Sequence, residues 1–335
     1  MPLKDQTQSR KIDHIKICLT EDVNFQNTTG LEKLELLPNN LPEFNFDEID
    51  TSLKFLGKKF SAPLYISGMI GGVEQAGRIN KNMAKAVQKA GLGMGVGSMR
   101  AAIERPEVAS TYQVRDVAPD IFLMGNIGAA QLLKYSTEQV LSLIDLIEAD
   151  ALAVHINPGQ EIVQPEGDRE WKGIYEKIRQ LCKQSKKPII AKEVGCGIPG
   201  HVALKLKEAG IAAVDVAGAG GTSWIKVEGY RGSKLAKSFW EWGKPTAECL
   251  IEAQRLNLPI LASGGIRTGE EIVKAIALGA TMGGFARPML RAAVTSWETA
   301  YDLLEKVKQE IKATMFLIGC KNLEEVKKAK YNIKE

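Results

Sequence analysis

Eight short apolar runs in this 335-residue chain each close on residues able to do chemistry. They end in Ser67-Gly68-Met69, Gly97-Ser98-Met99-Arg100, Asn126, His155 with Asn157, Lys192-Glu193, Asp215 onward to Thr222-Ser223, Ser263-Gly264-Gly265 with Arg267, and Ala286-Arg287. One or two polar ends would be ordinary, since every strand must leave its core somewhere. Eight together describe a site that surrounds a large polar ligand. The sharpest element is SGGIRTGEE (263–271). Paired glycines after a strand let the backbone approach a phosphate, and the helix start that follows offers unpaired N–H groups at a positive dipole end. GGFARP (283–288) would add backbone donors. The plainer account of both is a turn and a helix cap.

Lys192 closes the run PIIA. A cation there can stabilise negative charge on a ring system or an enolate. The alternative, a lysine snorkelling outward, fits poorly with a buried strand. HINPGQE (155–161) gathers His155, Asn157, Gln160 and Glu161. Glu161, read as a loop residue, could hold Mg2+ beside an anionic substrate, although one carboxylate alone does not define a metal site. His155 could equally be a hydrogen-bonded core histidine. Arg10, Lys11 and His14 form a basic cluster that a solvated tail would also explain. Arg100 is better placed, because Arg binds a diphosphate bidentately. His201 falls in a surface helical stretch and receives no role. The segment 217–244 exceeds the usual loop length and carries Trp224, Trp240 and Trp242. It is read as a functional loop against a flat ligand or as an insertion packing on the rim.

Positioning these groups falls to an alternation of β-type runs and amphipathic stretches. The runs are PLYIS (63–67), LGMGVG (92–97), IFLMGN (121–126), ALAVHIN (151–157), PIIAKEV (188–194), AAVDVAG (212–218), PILASGG (259–265) and TMGGFA (281–286). Continuous apolar runs between helices are what a parallel sheet covered on both faces requires. NKNMAKAVQKAG ends on Gly91 as a terminating glycine. Ser136 with Gln139 and Thr268 with Glu271 have capping-box spacing, the second helix stopping at Gly279. Pro188 and Pro259 open strands, where a missing N–H is tolerated. Eight strand–helix units predict an α/β protein, a (β/α)8 TIM barrel with its site at the C-terminal ends of the strands. An open doubly wound sheet would place G-x-G-x-x-G after the first strand, and GMIGGVEQAG (68–77) does not fit it. The expectation is one barrel domain over 1–335, with 1–60 as an N-terminal extension and helices following Pro288.

Composition narrows the class. The chain is 44% hydrophobic and 25% charged, which excludes a disordered chain, a collagen-like fibre and a small disulfide scaffold. Its 44 basic against 40 acidic residues give a net charge of +4. That is too weak to indicate nucleic acid but suits an anionic small substrate. Five scattered cysteines without C-x-x-C argue against disulfides or zinc and for a reducing compartment. No apolar run reaches about 18 residues, and MPLKDQTQSRK lacks a signal-peptide core. A cytoplasmic protein with no membrane or nucleic-acid partner is expected.

Taken together, SRKIDHI (9–15), SGMIGG (67–72), GVGSMR (95–100), NIGAAQ (126–131), HINPGQE (155–161), QPEGDREW (164–171), KEVGCGI (192–198), AGAGGTSW (217–224), WGKPTA (242–247), SGGIRTG (263–269) and GFARPML (284–290) carry a resemblance. The chain resembles the FMN-dependent type 2 isopentenyl-diphosphate delta-isomerases over nearly its whole length. HINPGQE followed by QPEGDR is specific to that family, whereas SGGIR is shared with many flavin barrels. Two positions depart from the family pattern: Ile70 stands where threonine is usual, and Met99 where glutamine is usual.

The resemblance implies FMN across the barrel mouth, its phosphate at Gly264, Gly265, Ala286 and Arg287, with Arg267 in the same cofactor set. Ring and ribityl contacts would come from Ser67, Gly68, Met69, Ser98, Asn126, Lys192, Thr222 and Ser223. Arg10, Lys11, Arg100, His155 and Asn157 would hold the substrate diphosphate, with His14 facing the pocket. Gln160 would lie near the reacting carbons and Glu161 would bind Mg2+. The implied reaction converts isopentenyl diphosphate to dimethylallyl diphosphate, with reduced FMN as acid–base agent, NAD(P)H as reductant and no net redox change. Lys192 would stabilise the anionic reduced flavin. A homotetramer or homo-octamer is implied. Three rival readings remain. A 2-hydroxy acid oxidase needs a histidine beyond His201, and an inosine monophosphate type dehydrogenase needs a loop cysteine absent from AGAGGTSW. A flavin carrier would bind FMN without turnover.

Overall fold

The structure, a computed structural model, describes residues 3–334, with side chains from Ser9 onward. Met1, Pro2 and Glu335, at the ends of the expected domain, lie outside the described residues. Eight parallel strands close a barrel: β1 (Leu64–Ile66), β2 (Gly93–Gly95), β3 (Phe122–Gly128), β4 (Ala151–His155), β5 (Ile189–Lys192), β6 (Ala213–Asp215), β7 (Ile260–Ala262) and β8 (Met282–Phe285). Each pairs with its sequence neighbours, and β8 closes the ring on β1 through Gly283–Leu64, Gly284–Tyr65 and Phe285–Ile66. Seven of the eight expected runs contain one of these strands, and β3 runs two residues past the end of IFLMGN, to Gly128. Pro188 and Pro259 stand one residue ahead of β5 and β7, so no ladder bond is lost.

The strands are buried on both faces. Outward side chains such as Leu64, Ile66 and Leu123 pack against the helical ring. Inward ones, including Tyr65, Phe122, Met124, Ile190, Leu261 and Met282, fill the barrel. A hairpin of Leu53–Phe55 and Lys58–Phe60 closes the N-terminal end. Its Phe55 and Phe60 meet Phe122 with ring centroids 5.4 and 5.8 Å apart. Gly93 opens β2 beneath this plug, where a Cβ would stand 2.7 Å from the Phe60 ring.

Local chemistry sets the helix ends. Glu74–Ala90 terminates on Gly91 in the left-handed region (φ 69°). Capping boxes start Thr137–Leu146 at Ser136 and Gly269–Ala277 at Thr268. The latter ends at Ala277, two residues before Gly279, which has φ 98°. The extension supplies a helix, Leu3–Thr20, which lies over the barrel mouth. It also supplies the strand Leu34–Leu36, paired antiparallel with Tyr331–Ile333. The helix Trp297–Leu317 packs on Glu74–Ala90 and Gly269–Ala277. The segment 217–244 is not an unstructured insertion: it contains the helix Trp224–Tyr230 and a short 3-10 turn, Leu235–Phe239. No helix among the described residues is long and apolar enough to cross a membrane.

Candidate active site

A cavity of about 440 Å3 opens at the C-terminal mouth of the barrel and is lined from all eight strand ends and from the helix Leu3–Thr20. Every residue singled out in the sequence as a cofactor, substrate or metal contact lines it, except Ser223. Ser223 is fully buried; its Oγ accepts from Lys226 N (3.2 Å), capping the helix Trp224–Tyr230, and donates to Trp240 O (3.0 Å). Of the two departures, Ile70 lines the cavity, whereas Met99 is buried behind β3, near Gly125.

One wall is a network of acids and bases. Glu228, on the helix Trp224–Tyr230, is fully buried. Its Oε1 accepts from His14 Nε2 (2.9 Å) and Gln160 Nε2 (3.1 Å), and its Oε2 from Arg231 Nη1 (2.5 Å). Burial alone would push this carboxyl up, but His14, Arg231 and Gln160 together hold it below the usual value. The same burial keeps the His14 imidazole below its ordinary range. The pair is therefore a carboxylate and a neutral donor ring. Arg10 Nη1 lies 3.7 Å from Glu166 Oε1, which also accepts from Arg231 Nη2 (2.8 Å). Arg100 pairs with Glu104 (2.6 Å) and lies 3.6 Å from Asp168. The sequence showed no paired carboxylates, yet Glu161, Glu166, Asp168 and Glu228 converge here. Their partners are as far as 214 positions away in the chain, so no local pattern could reveal them.

HINPGQE is partly helical: Pro158–Val163 forms a short helix with Glu161 in its first turn, not in a loop. Asn157 Nδ2 donates to Gln160 Oε1 and Glu161 Oε1, both at 3.1 Å, leaving its buried Oδ1 without a partner. Glu161 Oε2 accepts from Asp168 N (2.7 Å), and burial raises its pKa. No group of three or more His, Cys, Asp or Glu that could hold a metal occurs among the described residues. Mg2+ at Glu161 would therefore take most of its oxygens from a ligand and water, as Mg2+ commonly does. His155 Nδ1 donates to Asn126 Oδ1 (2.8 Å), and Asn126 is fixed by Nδ2 donating to Val96 O (3.1 Å). Burial, with Lys192, Arg10 and Lys11 nearby, lowers the His155 pKa to about 3.

Lys11 reaches into the cavity and donates to Gly71 O (2.6 Å), Ser98 O (3.1 Å) and Tyr112 Oη (2.8 Å). Burial, Arg10 and Arg105 push it down to about 7. The glycines of SGMIGG make room for this contact. A Cβ on Gly71 would stand 1.9 Å from the Tyr112 ring, and one on Gly72 would stand 2.8 Å from Lys11 Nζ. At the floor, Lys192 Nζ donates to Glu193 O (2.7 Å) and lies 3.6 Å from Asp215 Oδ2. Asp215 also accepts from Tyr65 Oη and from Ser263 Oγ (2.7 Å). Lys192 therefore points inward, not to solvent.

The β7–β8 end is basic. Arg267, Arg287 and Arg291 face the cavity, and Arg287 Nη1 is buried without a partner. Gly264 and Gly265 have φ of 96° and 81°. Cβ atoms there would strike Gly218 O at 2.1 Å and Thr29 Cγ2 at 2.4 Å. The glycines thus serve close packing of chain on chain. The helix start after them is already engaged: Arg267 N and Thr268 N donate to Glu271 Oε2, and Gly269 N donates to Glu310 Oε2. These three N–H groups are spent on carboxylates, and the arginines add anion-binding capacity beside the glycine backbone. An orphaned guanidinium N–H in a surplus of cations fits the phosphate of FMN.

A closed parallel barrel with this mouth is the architecture of flavin-dependent (β/α)8 proteins, and residues 115–333 match the family model for FMN-dependent dehydrogenases. Solved structures of mandelate oxidase (TM-score 0.66, 16% identity, 99% of this chain and 98% of that one) and of a flavocytochrome b2 mutant (TM-score 0.68, 19% identity, 92% and 78%) share the fold. Two curated relatives are named isopentenyl-diphosphate delta-isomerase. That of Nostoc sp. is 51% identical over 96% of this chain and 95% of the relative. That of Pyrococcus abyssi is 46% identical over 97% and 92%. The chain belongs to the isopentenyl-diphosphate delta-isomerase family, in its FMN-dependent form.

Proposed function

We propose that the protein converts isopentenyl diphosphate to dimethylallyl diphosphate without net redox change. The observation that carries this reading is a cavity with two separate cationic ends. Arg267, Arg287 and Arg291 stand at one end, and Arg10, Lys11 and Arg100 at the other. A phosphate-bearing cofactor and a diphosphate-bearing substrate need two such ends. Gly264, Gly265, Ala286, Arg267 and Arg287 would hold the FMN phosphate, and Ser67, Gly68, Met69, Ser98, Asn126, Lys192 and Thr222 the rest of the cofactor. Bound reduced FMN supplies acid–base chemistry at its ring nitrogens.

The chain's own groups do the remainder. Arg10, Lys11 and Arg100 bind the diphosphate, and Asn157 fixes Gln160 and Glu161 beside it. His155, kept neutral first by burial and then by the nearby cations, is held by Asn126 through Nδ1 and positions the diphosphate through its Nε2 lone pair and a bridging water. Gln160, anchored by Glu228, orients the alkene end and excludes water from it. Lys192, held by Glu193 O and Asp215, places positive charge under the ring site. Glu161 would hold Mg2+, which would offset the charge of the diphosphate. NAD(P)H as reductant, a homotetrameric or homo-octameric assembly and a cytoplasmic location complete the reading.

An anaerobic assay with FMN, Mg2+, reductant and isopentenyl diphosphate, omitting each in turn, tests it. Dimethylallyl diphosphate formed only with reduced flavin and Mg2+ is the expected result. FMN binding with no product under any condition would overturn it and favour a carrier or an oxidoreductase.

A further inference from the structure

The arginines at the β7–β8 end meet a residue from far away in the chain. The segment 21–29 leaves the helix Leu3–Thr20 and bridges antiparallel to the start of the segment 217–244, Asn24 opposite Thr222. Ser223 N donates to Val23 O (2.8 Å) and Phe25 N to Gly221 O (3.0 Å), with Val23 and Phe25 buried beneath. A latch holds the far side. Lys226 Nζ donates to Asn24 O (2.5 Å) and pairs with Glu241 Oε1 (2.8 Å). Glu241 Oε2 accepts from Gln26 N (2.8 Å) and Asn27 N (3.1 Å). The segment is therefore a strap fixed along its length, crossing the paired glycines where Thr29 touches Gly265.

The Asn24 amide lies between the strap and the arginines. Its Oδ1 accepts from Arg287 Nη2 (2.5 Å) and Arg267 Nη2 (3.3 Å), while its Nδ2 donates to Asp22 Oδ1 (2.7 Å). Two guanidinium groups converge on one neutral oxygen, and Arg287 keeps an unused buried N–H. A carboxamide oxygen is a weak acceptor for two cations, whereas a phosphate dianion offers three oxygens and matching charge.

We propose that Asn24 is a phosphate surrogate, its oxygen holding the arginine pair in the place the FMN phosphate takes. The strap that carries it forms the outer wall of that pocket. The site then selects a flavin ending in a phosphate monoester over one with no phosphate or one that continues beyond it. This rests on the FMN reading above. Binding replaces the two N–H···O=C bonds from Arg287 and Arg267 to Asn24 by charge-assisted bonds and leaves the latch of Lys226 and Glu241 in place.

Flavin fluorescence titrations with FMN, riboflavin and FAD test it on the wild type, Asn24→Asp and Glu241→Gln. Asn24→Asp puts a carboxylate between the arginines. The FMN dissociation constant should rise at least about tenfold and the riboflavin constant stay within about twofold. Glu241→Gln loosens the latch, and the preference for FMN over FAD should shrink at least about fivefold. Unchanged flavin ratios in both variants overturn the proposal. So does a parallel loss of FMN and riboflavin in Asn24→Asp, which would make Asn24 a structural residue. A wild type that binds no FMN would instead overturn the cofactor reading itself.

Discussion

Glu228 is the residue on which most of the substrate wall depends, because it fixes His14, Gln160 and Arg231 at once. Glu228→Gln keeps the shape and removes the charge. We expect kcat for isomerisation to fall about 10²-fold, with a much smaller change in KM, and steady-state kinetics check this. Lys11 sets a pH dependence. Its ammonium is lost above about 7 in the free protein, and a bound diphosphate favours the ammonium, so binding takes up a proton. Affinity for inorganic diphosphate should therefore weaken as pH rises from 6 to 9, each unit above the free pKa costing up to about tenfold. Calorimetry in buffers of different ionisation enthalpy reads both the trend and the proton uptake. For stability the sign is opposite. A lysine depressed in the fold burdens it most below about 7, and the burden is relieved as pH rises toward the unfolded lysine's own pKa. What the sequence disclosed at this scale was residue type at strand ends: Lys192 and His155 close their strands, and Asn126 lies two residues inside the end of β3. What it hid was pairing, as with Glu228, or Asp215 beneath Lys192.

Elements decide which of those side chains touch a ligand. Ser223 follows Thr222 in the motif, yet the chain turns into a helix there and the hydroxyl becomes its cap. Ser223→Ala should cost about 1 kcal/mol of stability and leave FMN affinity within about twofold. Urea denaturation and flavin titration separate the two. A tenfold loss of FMN affinity would restore Ser223 to the cofactor contacts. The eight strands were legible because parallel strands covered on both faces are continuously apolar. The capping boxes were legible because their spacing is local. The segment 217–244 was not, since its short helix is held by Lys226, which bonds Asn24 of the distant strap and lies over the Trp240 ring, and not by its own periodicity. Glycine-rich motifs carry a second demand that was not legible for a related reason: Gly71, Gly264 and Gly265 also clear space for distant parts of the chain.

At the scale of the molecule, stability and chemistry occupy opposite ends of the barrel. Phe55, Phe60 and Phe122 plug the N-terminal end, far from the cavity lining. Phe60→Ala should cost about 3–5 kcal/mol and leave the FMN and diphosphate affinities of the folded protein unchanged, which denaturation and titration at low temperature would measure. The strap and the helix Leu3–Thr20 tie the start of the chain to the mouth, while Leu34–Leu36 is zipped to Tyr331–Ile333. This has a consequence in time. On a ribosome, Arg10, His14 and Asn24 emerge well before their partners Glu166, Glu228, Arg267 and Arg287 are made. The ring itself cannot shut until β8 reaches β1. The mouth of the barrel is therefore assembled in stages: Lys11 finds Gly71, Ser98 and Tyr112 early, Arg10 and His14 wait for Glu166 and Glu228, and Asn24 waits longest, for Arg267 and Arg287.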